Sequence, residues 1–244
     1  MKIEFFGTSD GTPTASRYCS SLVIECDGAR YLFDVGAPVT DLFLRKGYPL
    51  SSLRAVFLTH LHSDHFNGLF HLFDVSNRVF RDASYTVFLP EQSAIDLIHQ
   101  YQKVCNNGSP FREGLALKKY EAGVVFEDRR VRVTAVLVEH ETFFKTYGFL
   151  VEGDGQRVYI TGDMHEDLHD FPAFLYGMHL DVMVTELAHQ TAPIMLSHLE
   201  KCHADRIYIT HLYPQEKAAE LISLADEDLK KRITVAKDND IVVI

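Results

Sequence analysis

The sequence predicts an α/β fold in which two β-sheets pack together with helices on their outer faces. Each half of the chain opens with short β-rich segments joined by hairpin turns, at Asp27-Gly28 and at Asp154-Gly155. Each half then continues as alternating apolar strands and amphipathic helices, a pattern typical of layered α/β proteins. No linker rich in Pro, Gly or Ser divides the chain, so we expect one domain over residues 1–244.

The first half alternates strand and helix patterns in a regular order. Strands are indicated by period-2 alternation or by short β-rich runs, and one helix ends at a glycine stop signal, Gly47. In order, the predicted elements are strands KIEFFG, SSLVIEC and RYLFDVG, helix TDLFLRKG, strand RAVFLTH, a helix within FNGLFHLFDVSNRVF, strand YTVFLP and a helix over Glu91–Val104.

The second half repeats this style after one irregular segment. Residues Cys105–Tyr120 lack a clear pattern, and two interpretations stay open: a lid or substrate loop, or an ordinary surface loop. The predicted elements that follow are strands VRVTAVLVEH, YGFLVEGDGQRVYITGD (a hairpin) and LDVMVTEL, helix PIMLSHLEKCH, strand RIYITH, helix EKAAELISLADEDLKKR and strand NDIVVI.

Composition and charge narrow the class of protein. A hydrophobic content of 46% with 24% charged residues is that of a packed globular chain without disorder. A formal net charge of −10 argues against general nucleic-acid binding through a basic patch, although bound cations would add local positive charge. We expect a cytoplasmic protein that has no membrane segment, because no signal-peptide or membrane-length apolar run occurs and the four cysteines form no CxxC pair.

The strongest chemical signal is a polar stretch that follows the apolar strand 54–58 and precedes a helix. It contains four metal-competent side chains within six residues: His60, His62, Asp64 and His65. Alternate residues of an extended segment share a face, so the first two histidines can point the same way. Histidine and carboxylate ligands without cysteine suit zinc, iron or manganese, and nitrogen-rich sites favour zinc. The alternative is a solvated polar turn, and four such residues in this order argue against it.

This stretch, HLHSDH, matches the HxHxDH signature of the metallo-β-lactamase superfamily, and the chain resembles that family along nearly its whole length. The resemblance implies the metallo-β-lactamase fold, a four-layer αβ/βα sandwich of two mixed β-sheets with helices on the outer faces. It also implies three later metal ligands, each directly after an apolar β run: His140 in LVEH, Asp163 in YITGD and His211 in IYITH.

The resemblance further implies two divalent metal ions, with zinc as the expected metal and manganese and iron as alternatives. One ion would be held by His60, His62 and His140, the other by Asp64, His65 and His211, and Asp163 would bridge both. In such a centre a bridging water loses its proton near neutral pH and becomes the nucleophile, while the metals stabilise the oxygens that gain charge. Asp64 could also orient that nucleophile or accept its proton.

Within the superfamily, the chain is most similar to the ribonuclease Z and cyclic-phosphate phosphodiesterase branch. The similarity lies in the opening FFGTSDGTPTASRYCSSLVIECDGARYLFDVG, in TYGFLVE and in His189, 22 residues before His211. In that branch a histidine at this offset faces the scissile phosphate, which implies that His189 is a general acid or a cation for the phosphoryl oxygens. The alternative is a helix-capping residue before Pro193. Glu186 is expected to orient a ligand or His189, or else to be a strand-end carboxylate.

Asp34 and the other histidines are not expected to bind metal. Asp34, in LFDVG, is expected to support the site through hydrogen bonds and not to bind metal. The remaining histidines match no ligand position and are interpreted as surface or helix residues: His71, His99, His165, His169, His179, His198 and His203.

These observations predict a metal-dependent hydrolase, with a small or cyclic phosphodiester as the expected substrate. Ribonuclease Z proper carries a long tRNA-binding arm, often between the third and fourth ligands, whereas His140 and Asp163 are only 23 residues apart here. Three alternatives remain: a lactonase, thioesterase or β-lactamase; ribonuclease Z-like processing of RNA without the arm; and a non-catalytic binding protein, against which the complete ligand set argues. The oligomeric state stays open, with a homodimer as one alternative because relatives are often dimers.

Overall fold

The computed structural model describes residues 1–244 and contains fourteen strands in two sheets of seven. The first sheet contains β1 (Lys2–Gly7), β2 (Ser21–Cys26), β3 (Ala29–Phe33), β4 (Leu53–Phe57), β5 (Tyr85–Leu89), β6 (Leu115–Lys119) and β14 (Ile241–Val243). The second contains β7 (Gly123–Glu127), β8 (Arg132–Val138), β9 (Thr146–Gly153), β10 (Gln156–Ile160), β11 (His179–Leu187), β12 (His203–Leu212) and β13 (Ile233–Val235).

The helices connect the parallel strands. They are α1 (Val39–Arg45), α2 (Ser63–Phe66), α3 (Leu69–Arg78), α4 (Gln92–Cys105), α5 (Ala192–Leu199), α6 (Glu216–Leu224) and α7 (Glu227–Arg232), with 3₁₀ turns at Leu50–Ser52 and Ala173–Tyr176. The single helix predicted over EKAAELISLADEDLKKR is therefore wrong. The chain breaks at Asp226, whose carboxylate accepts hydrogen bonds from the backbone N–H groups of Asp228 and Leu229 and so begins a new helix. None of the helices is long and apolar enough to span a membrane.

The two sheets have matching topologies. Their strand orders are β14-β1-β2-β3-β4-β5-β6 and β13-β12-β11-β10-β9-β8-β7. In each, antiparallel hairpins lead into three successive parallel pairings. The predicted turns Asp27-Gly28 and Asp154-Gly155 both place two residues at positive φ, as type I′ hairpin turns require. The predicted fold class, two mixed sheets with helices outside, is confirmed.

Three apolar clusters correspond to the three interfaces of a four-layer sandwich. The central cluster of 24 buried residues lies between the sheets, where Phe57 of the first sheet stands 5.6 Å, centroid to centroid, from Phe149 of the second. The other two clusters lie between each sheet and its own helices. Burial of about 70 apolar side chains stabilises this arrangement and fixes the ends of the strands that carry polar residues.

The irregular segment Cys105–Tyr120 contains one strand that sequence reasoning missed. Residues 115–119 form β6, which pairs in parallel with β5 at the edge of the first sheet. Residues 106–114 before it are held down, because the Arg112 guanidinium donates to the carbonyls of Ser76 and Ala83 and the Phe111 ring packs on Phe73. The segment is thus a connection anchored to α3 and to the sheet edge.

The C-terminal residues complete the first sheet and hold its opening loop. Strand β14 pairs antiparallel with β1. The Asp238 carboxylate accepts hydrogen bonds from Thr8 Oγ1 at 2.7 Å and from the backbone N–H of Tyr18 at 2.6 Å. Buried Arg17 donates to the Ala236 carbonyl at 2.9 Å. Both ends of the glycine-containing loop 8–18 are therefore fixed by residues 236–238.

Candidate metal centre

The Asp34 carboxylate fixes the conformation of the polar turn that follows β4. Its carboxylate accepts hydrogen bonds from the backbone N–H of Thr59 at 2.8 Å and from Thr59 Oγ1 at 2.9–3.0 Å. The chain stays extended at His62 and then enters α2, whose first turn carries Asp64 and His65. The switch from extended chain to helix lets all four polar side chains of the turn reach the same end of the sandwich.

A first group of potential ligand atoms comes from His60, His62, His140 and Asp163, and these atoms all lie within 4.8 Å of one another. His62 Nδ1 is 3.1 Å from His60 Nε2 and 3.2 Å from His140 Nε2. Two nitrogens that bind one zinc ion at about 2.0–2.1 Å in tetrahedral geometry are separated by roughly 3.3 Å. The structure therefore brings together the residues predicted for the first ion.

A second group is formed by Asp64, His65 and His211. Asp163 Oδ2 lies 3.2 Å from His211 Nε2, 3.5 Å from His65 Nε2 and 3.6 Å from His60 Nε2. One carboxylate oxygen is thus within reach of both groups, which is the position expected of a bridging ligand. All seven residues predicted as metal ligands meet at one place, contributed by both sheets.

Hydrogen bonds fix which nitrogen of the buried histidines faces the centre. His65 Nδ1 donates to Asp34 Oδ2 at 2.8 Å, as expected of Asp34 from the sequence. His60 Nδ1 donates to Thr59 Oγ1 at 2.9 Å, and His211 Nδ1 donates to Ser20 Oγ at 2.8 Å. In each ring Nδ1 therefore carries a proton and Nε2 faces the centre, as in metal-binding histidines whose orientation is fixed. The sequence analysis did not predict that Ser20 orients His211.

The donor set fits divalent metal ions. His65 Nε2 is buried and makes no well-aligned hydrogen bond, although carboxylate oxygens of Asp64 and Asp163 lie 3.2 Å and 3.5 Å away. A buried nitrogen in this position is costly unless something else, such as a cation, satisfies it. Burial lowers the pKa of His60 well below its ordinary value, and it lowers the pKa of His62 and His140 as well. These three rings are therefore neutral at physiological pH, the form that binds metal.

The carboxylate shared by both groups is ionised. Burial opposes ionisation of Asp163, but the neighbouring His211, His65 and His60 rings hold the pKa of this carboxyl well below its usual range. Burial opposes protonation of His65 and His211, but the neighbouring carboxylates together outweigh it and raise the pKa of both rings. These carboxylates are Asp163 and Asp34 for His65, and Asp163 and Glu186 for His211. A divalent cation bound here would replace the protons that these two rings otherwise hold.

His189 and Glu186 form a pair beside this cluster. The buried Glu186 carboxylate accepts hydrogen bonds from His189 Nδ1 at 2.7 Å and from the backbone N–H of Met164, next to Asp163, at 2.6 Å. The His189 side chain is 34% exposed and its Nδ1 lies 4.0 Å from Asp163 Oδ2. Burial opposes protonation of His189, but the Glu186 carboxylate raises its pKa to about 9.

The capping alternative for His189 is wrong. The residue that begins α5 is Thr191, whose hydroxyl accepts a hydrogen bond from the backbone N–H of Ile194. The His189 ring instead stands 4.5 Å, centroid to centroid, from His140. Its Nδ1 is occupied by Glu186, so Nε2 is the nitrogen that remains available.

Two further features of the centre, a glycine before Asp163 and two phenylalanines beside His62, are hard to recognise from the sequence. Gly162, before Asp163, has φ +64°, and a Cβ there would lie 2.7 Å from the Tyr147 carbonyl oxygen, so only glycine fits. The Phe144 ring packs 4.9 Å from the His62 ring, and Phe143 beside it is 72% exposed. The pattern Thr-Gly-Asp after a strand could have indicated the glycine, whereas nothing local indicates the two phenylalanines.

Comparison with known proteins gives one family match and several relatives. Residues 1–220 match the model of a family described as Anti-Pycsar protein Apyc1. Ribonuclease Z of Synechocystis sp. is 32% identical over 157 residues, 62% of this chain and 46% of that protein. Ribonuclease Z of Listeria monocytogenes is 30% identical over 162 residues, 64% of this chain and 51% of that protein. The chain spans about half the length of the curated relatives it matches.

Solved structures share the fold over almost the whole chain. Human tRNase Z, short form, matches with a TM-score of 0.79 and 20% identity, covering 100% of this chain and 99% of that one. The metallo-β-lactamase fold protein YhfI from Bacillus subtilis matches with a TM-score of 0.77 and 16% identity, covering 99% of each chain. A diphosphatase from the PhnP family matches with a TM-score of 0.74 and 17% identity, covering 100% and 97%. These matches confirm the metallo-β-lactamase fold.

Proposed function

The chain belongs to the family described as Anti-Pycsar protein Apyc1, and on that premise we propose that it is a metal-dependent phosphodiesterase acting on a small or cyclic phosphodiester. The observation that carries the proposal is the position of His189. This imidazole is hydrogen-bonded to a buried carboxylate, reaches solvent, and stands 4.0 Å from the carboxylate shared by both histidine groups. A proton donor is therefore held beside the place where metal-bound substrate would lie.

Two divalent ions, zinc in the first place and manganese or iron as alternatives, would be held by the seven converging residues: His60, His62 and His140 for one, Asp64, His65 and His211 for the other, and Asp163 for both. When bound, such ions supply an activated water and stabilise the charge that grows on phosphoryl oxygens. Asp64, which lies 3.2 Å from His65 Nε2 through its Oδ2 atom, is also placed to orient or deprotonate the attacking water.

His189 would donate a proton to the departing oxygen. An alkoxide that leaves phosphorus needs a proton, and a positioned imidazole contributes about 10²–10⁴-fold to such a step. Glu186 is a positioning residue: it holds His189 Nδ1 and stabilises the protonated ring, and through the Met164 N–H it also fixes the backbone beside Asp163. The proton would then be donated from Nε2 to the leaving group.

A second candidate function, cleavage of RNA, is favoured by the Ribonuclease Z relatives. Two features support the proposal of a small substrate. The interval between His140 and Asp163 is filled by the β9–β10 hairpin with its two-residue turn, so it holds no arm. The net charge of −10 also opposes binding of a polyanion. Four unpaired cysteines support a reducing, cytoplasmic location for this activity.

The test is a side-by-side assay of the full chain with added zinc or manganese. The substrates are bis(p-nitrophenyl) phosphate, a 2′,3′-cyclic and a 3′,5′-cyclic nucleotide, a lactone, a thioester, a β-lactam and a precursor tRNA. We expect turnover of at least one small phosphodiester to exceed that of every carbonyl substrate. An Asp163→Ala preparation purified in parallel detects contaminating phosphodiesterase. Faster hydrolysis of the lactone or thioester would reject the proposal, and robust tRNA cleavage would favour the second candidate.

A further inference from the structure

We infer that the exposed side chains of His165, Asp167 and His169 form a third metal site, separate from the seven-residue centre. They lie in the loop that follows β10. Asp167 Oδ1 accepts hydrogen bonds from His165 Nδ1 at 2.7 Å and from His169 Nδ1 at 2.6 Å, and a bound cation would take the place of these two protons. The three potential ligand atoms lie within 4.8 Å of one another, so two imidazole nitrogens and one carboxylate oxygen converge on one point.

A second carboxylate orients one of the two rings. His169 Nε2, the nitrogen that points away from Asp167, is 2.9 Å from Glu139 Oε2. Histidines that bind metal through one nitrogen commonly donate the other N–H to a carboxylate, which fixes the tautomer and the direction of the lone pair. Glu139 thus fills the outer position of such a site, and it comes from a different segment of the chain, directly before His140.

The loop is held in shape by contacts outside the cluster. The buried side chain of Leu168 anchors it in the core, although this residue has the left-handed φ of +52° that bulky side chains rarely adopt. The backbone N–H of His165 donates to the Glu139 carbonyl at 2.6 Å, and the backbone N–H of Glu139 donates to Asp170. Packing and backbone pairing therefore hold the loop that carries the three side chains.

The donor set selects the class of cation. Two nitrogens and one carboxylate oxygen suit borderline divalent ions such as zinc, nickel or copper, whereas calcium and magnesium prefer all-oxygen sites. The side chains are 38%, 57% and 47% exposed, in chain order, so solvent can supply the remaining coordination position. With only three protein ligands and open access to water, this site should bind more weakly than the seven-residue centre.

The test is equilibrium dialysis of the full chain against zinc buffers of rising free concentration, with bound metal measured by mass spectrometry. The variants are His169→Gln and Asp167→Asn. The matched control is His179→Gln, which removes another exposed histidine that pairs with an aspartate, Asp205, at 3.0 Å. We expect the wild type and the control to bind one more equivalent at high free zinc than the two variants, with binding at low free zinc unchanged in all four.

Imidazole ¹⁵N resonances provide a readout that does not depend on activity. In protein already loaded at low free zinc, further zinc should shift the ring nitrogens of His165 and His169 and leave those of His179 in place. Equal zinc uptake by the wild type and both variants would overturn the inference. Loss of the tightly bound equivalents in the variants would also overturn it, because the cluster would then only support the neighbouring centre.

Discussion

The two halves of the molecule build the candidate centre in different ways. The first half supplies four of the seven converging residues from one short turn, between His60 and His65, and one carboxylate, Asp34, organises that turn. The second half supplies three residues from three separate strand ends, His140, Asp163 and His211, and the register of the second sheet brings them together. Local geometry therefore dominates one half, and long-range packing the other.

One histidine from each half shows a difference in the group that orients it. His65 is held by a charged acceptor within its own half, whereas His211 is held by the neutral hydroxyl of Ser20, which lies in the first half directly before β2. Hydrogen bonds to charged groups contribute about 1.5–3 kcal/mol, and neutral ones about 0.5–1.5 kcal/mol. Metal affinity should thus fall less when the orienting bond of His211 is lost than when that of His65 is lost.

The largest effect is expected for Asp163, the residue shared by both groups. Asp163→Ala removes the one oxygen within reach of both groups and leaves His65 and His211 without their common partner. Bound metal should fall from two equivalents towards none, and hydrolysis should fall to the uncatalysed rate. Metal analysis after dialysis, with the exposed Asp205→Asn variant as control, checks this. Retention of both ions would show that the shared carboxylate does not bridge them.

A smaller loss of activity is expected when His189 is replaced, because this residue is not one of the seven proposed metal ligands. His189→Ala should lower kcat by about 10²–10⁴-fold on a phosphodiester with a poor leaving group while metal content stays unchanged. The loss should be smaller on bis(p-nitrophenyl) phosphate, because p-nitrophenolate hardly needs a proton. His198→Ala, on α5, is the matched control. Equal losses on both substrates would point to phosphate binding instead of proton donation.

Loss of the hydrogen bond between His65 and Asp34, in the first half, should have a smaller effect than either of these two substitutions. Asp34→Asn weakens the acceptor of His65 Nδ1 and of Thr59, and loss of an orienting partner typically costs 10–100-fold in metal affinity. Competition with a chromophoric chelator measures this affinity. A variant whose affinity equals that of the wild type would show that the turn keeps its shape without the charge.

The smallest effect on metal affinity is expected for the hydrogen bond between His211 and Ser20. Ser20→Ala removes the acceptor of His211 Nδ1, and a neutral hydrogen bond of about 0.5–1.5 kcal/mol corresponds to roughly 2- to 10-fold in affinity. Measured beside Asp34→Asn in the same chelator assay, this variant sharpens the comparison of the halves. A larger cost at Ser20 than at Asp34 would reverse it.

The contrast between the halves also explains what the sequence alone could predict. The turn HLHSDH shows its chemistry by itself, because its four residues lie within six positions. A lone His140, Asp163 or His211 after a strand has many ordinary explanations, and only the resemblance to a family made the three a set. Ser20 and Phe144 reach the centre through tertiary packing, which no local pattern encodes.

The same reasoning applies to the fold. The hairpins and the strands with strong apolar runs were predicted correctly, since their patterns are local. Three strands were missed: β6 ends in two lysines, β7 is a largely exposed edge strand, and β13 has three residues. Such strands form because a neighbouring strand offers hydrogen bonds, a condition that propensity and periodicity do not report.

The pairing of β14 with β1 has a consequence for the order in which the protein is assembled. Strand β1 is synthesised well before β14, so its outer edge stays unpaired until residues 241–243 emerge. The hydrogen bonds that hold loop 8–18 likewise form only when Ala236 and Asp238 are available. At about 5–20 residues per second, the nascent chain exposes this apolar edge for roughly ten seconds or longer. An unpaired edge strand recruits other chains, so translation that stalls before residue 236 should yield aggregation-prone intermediates.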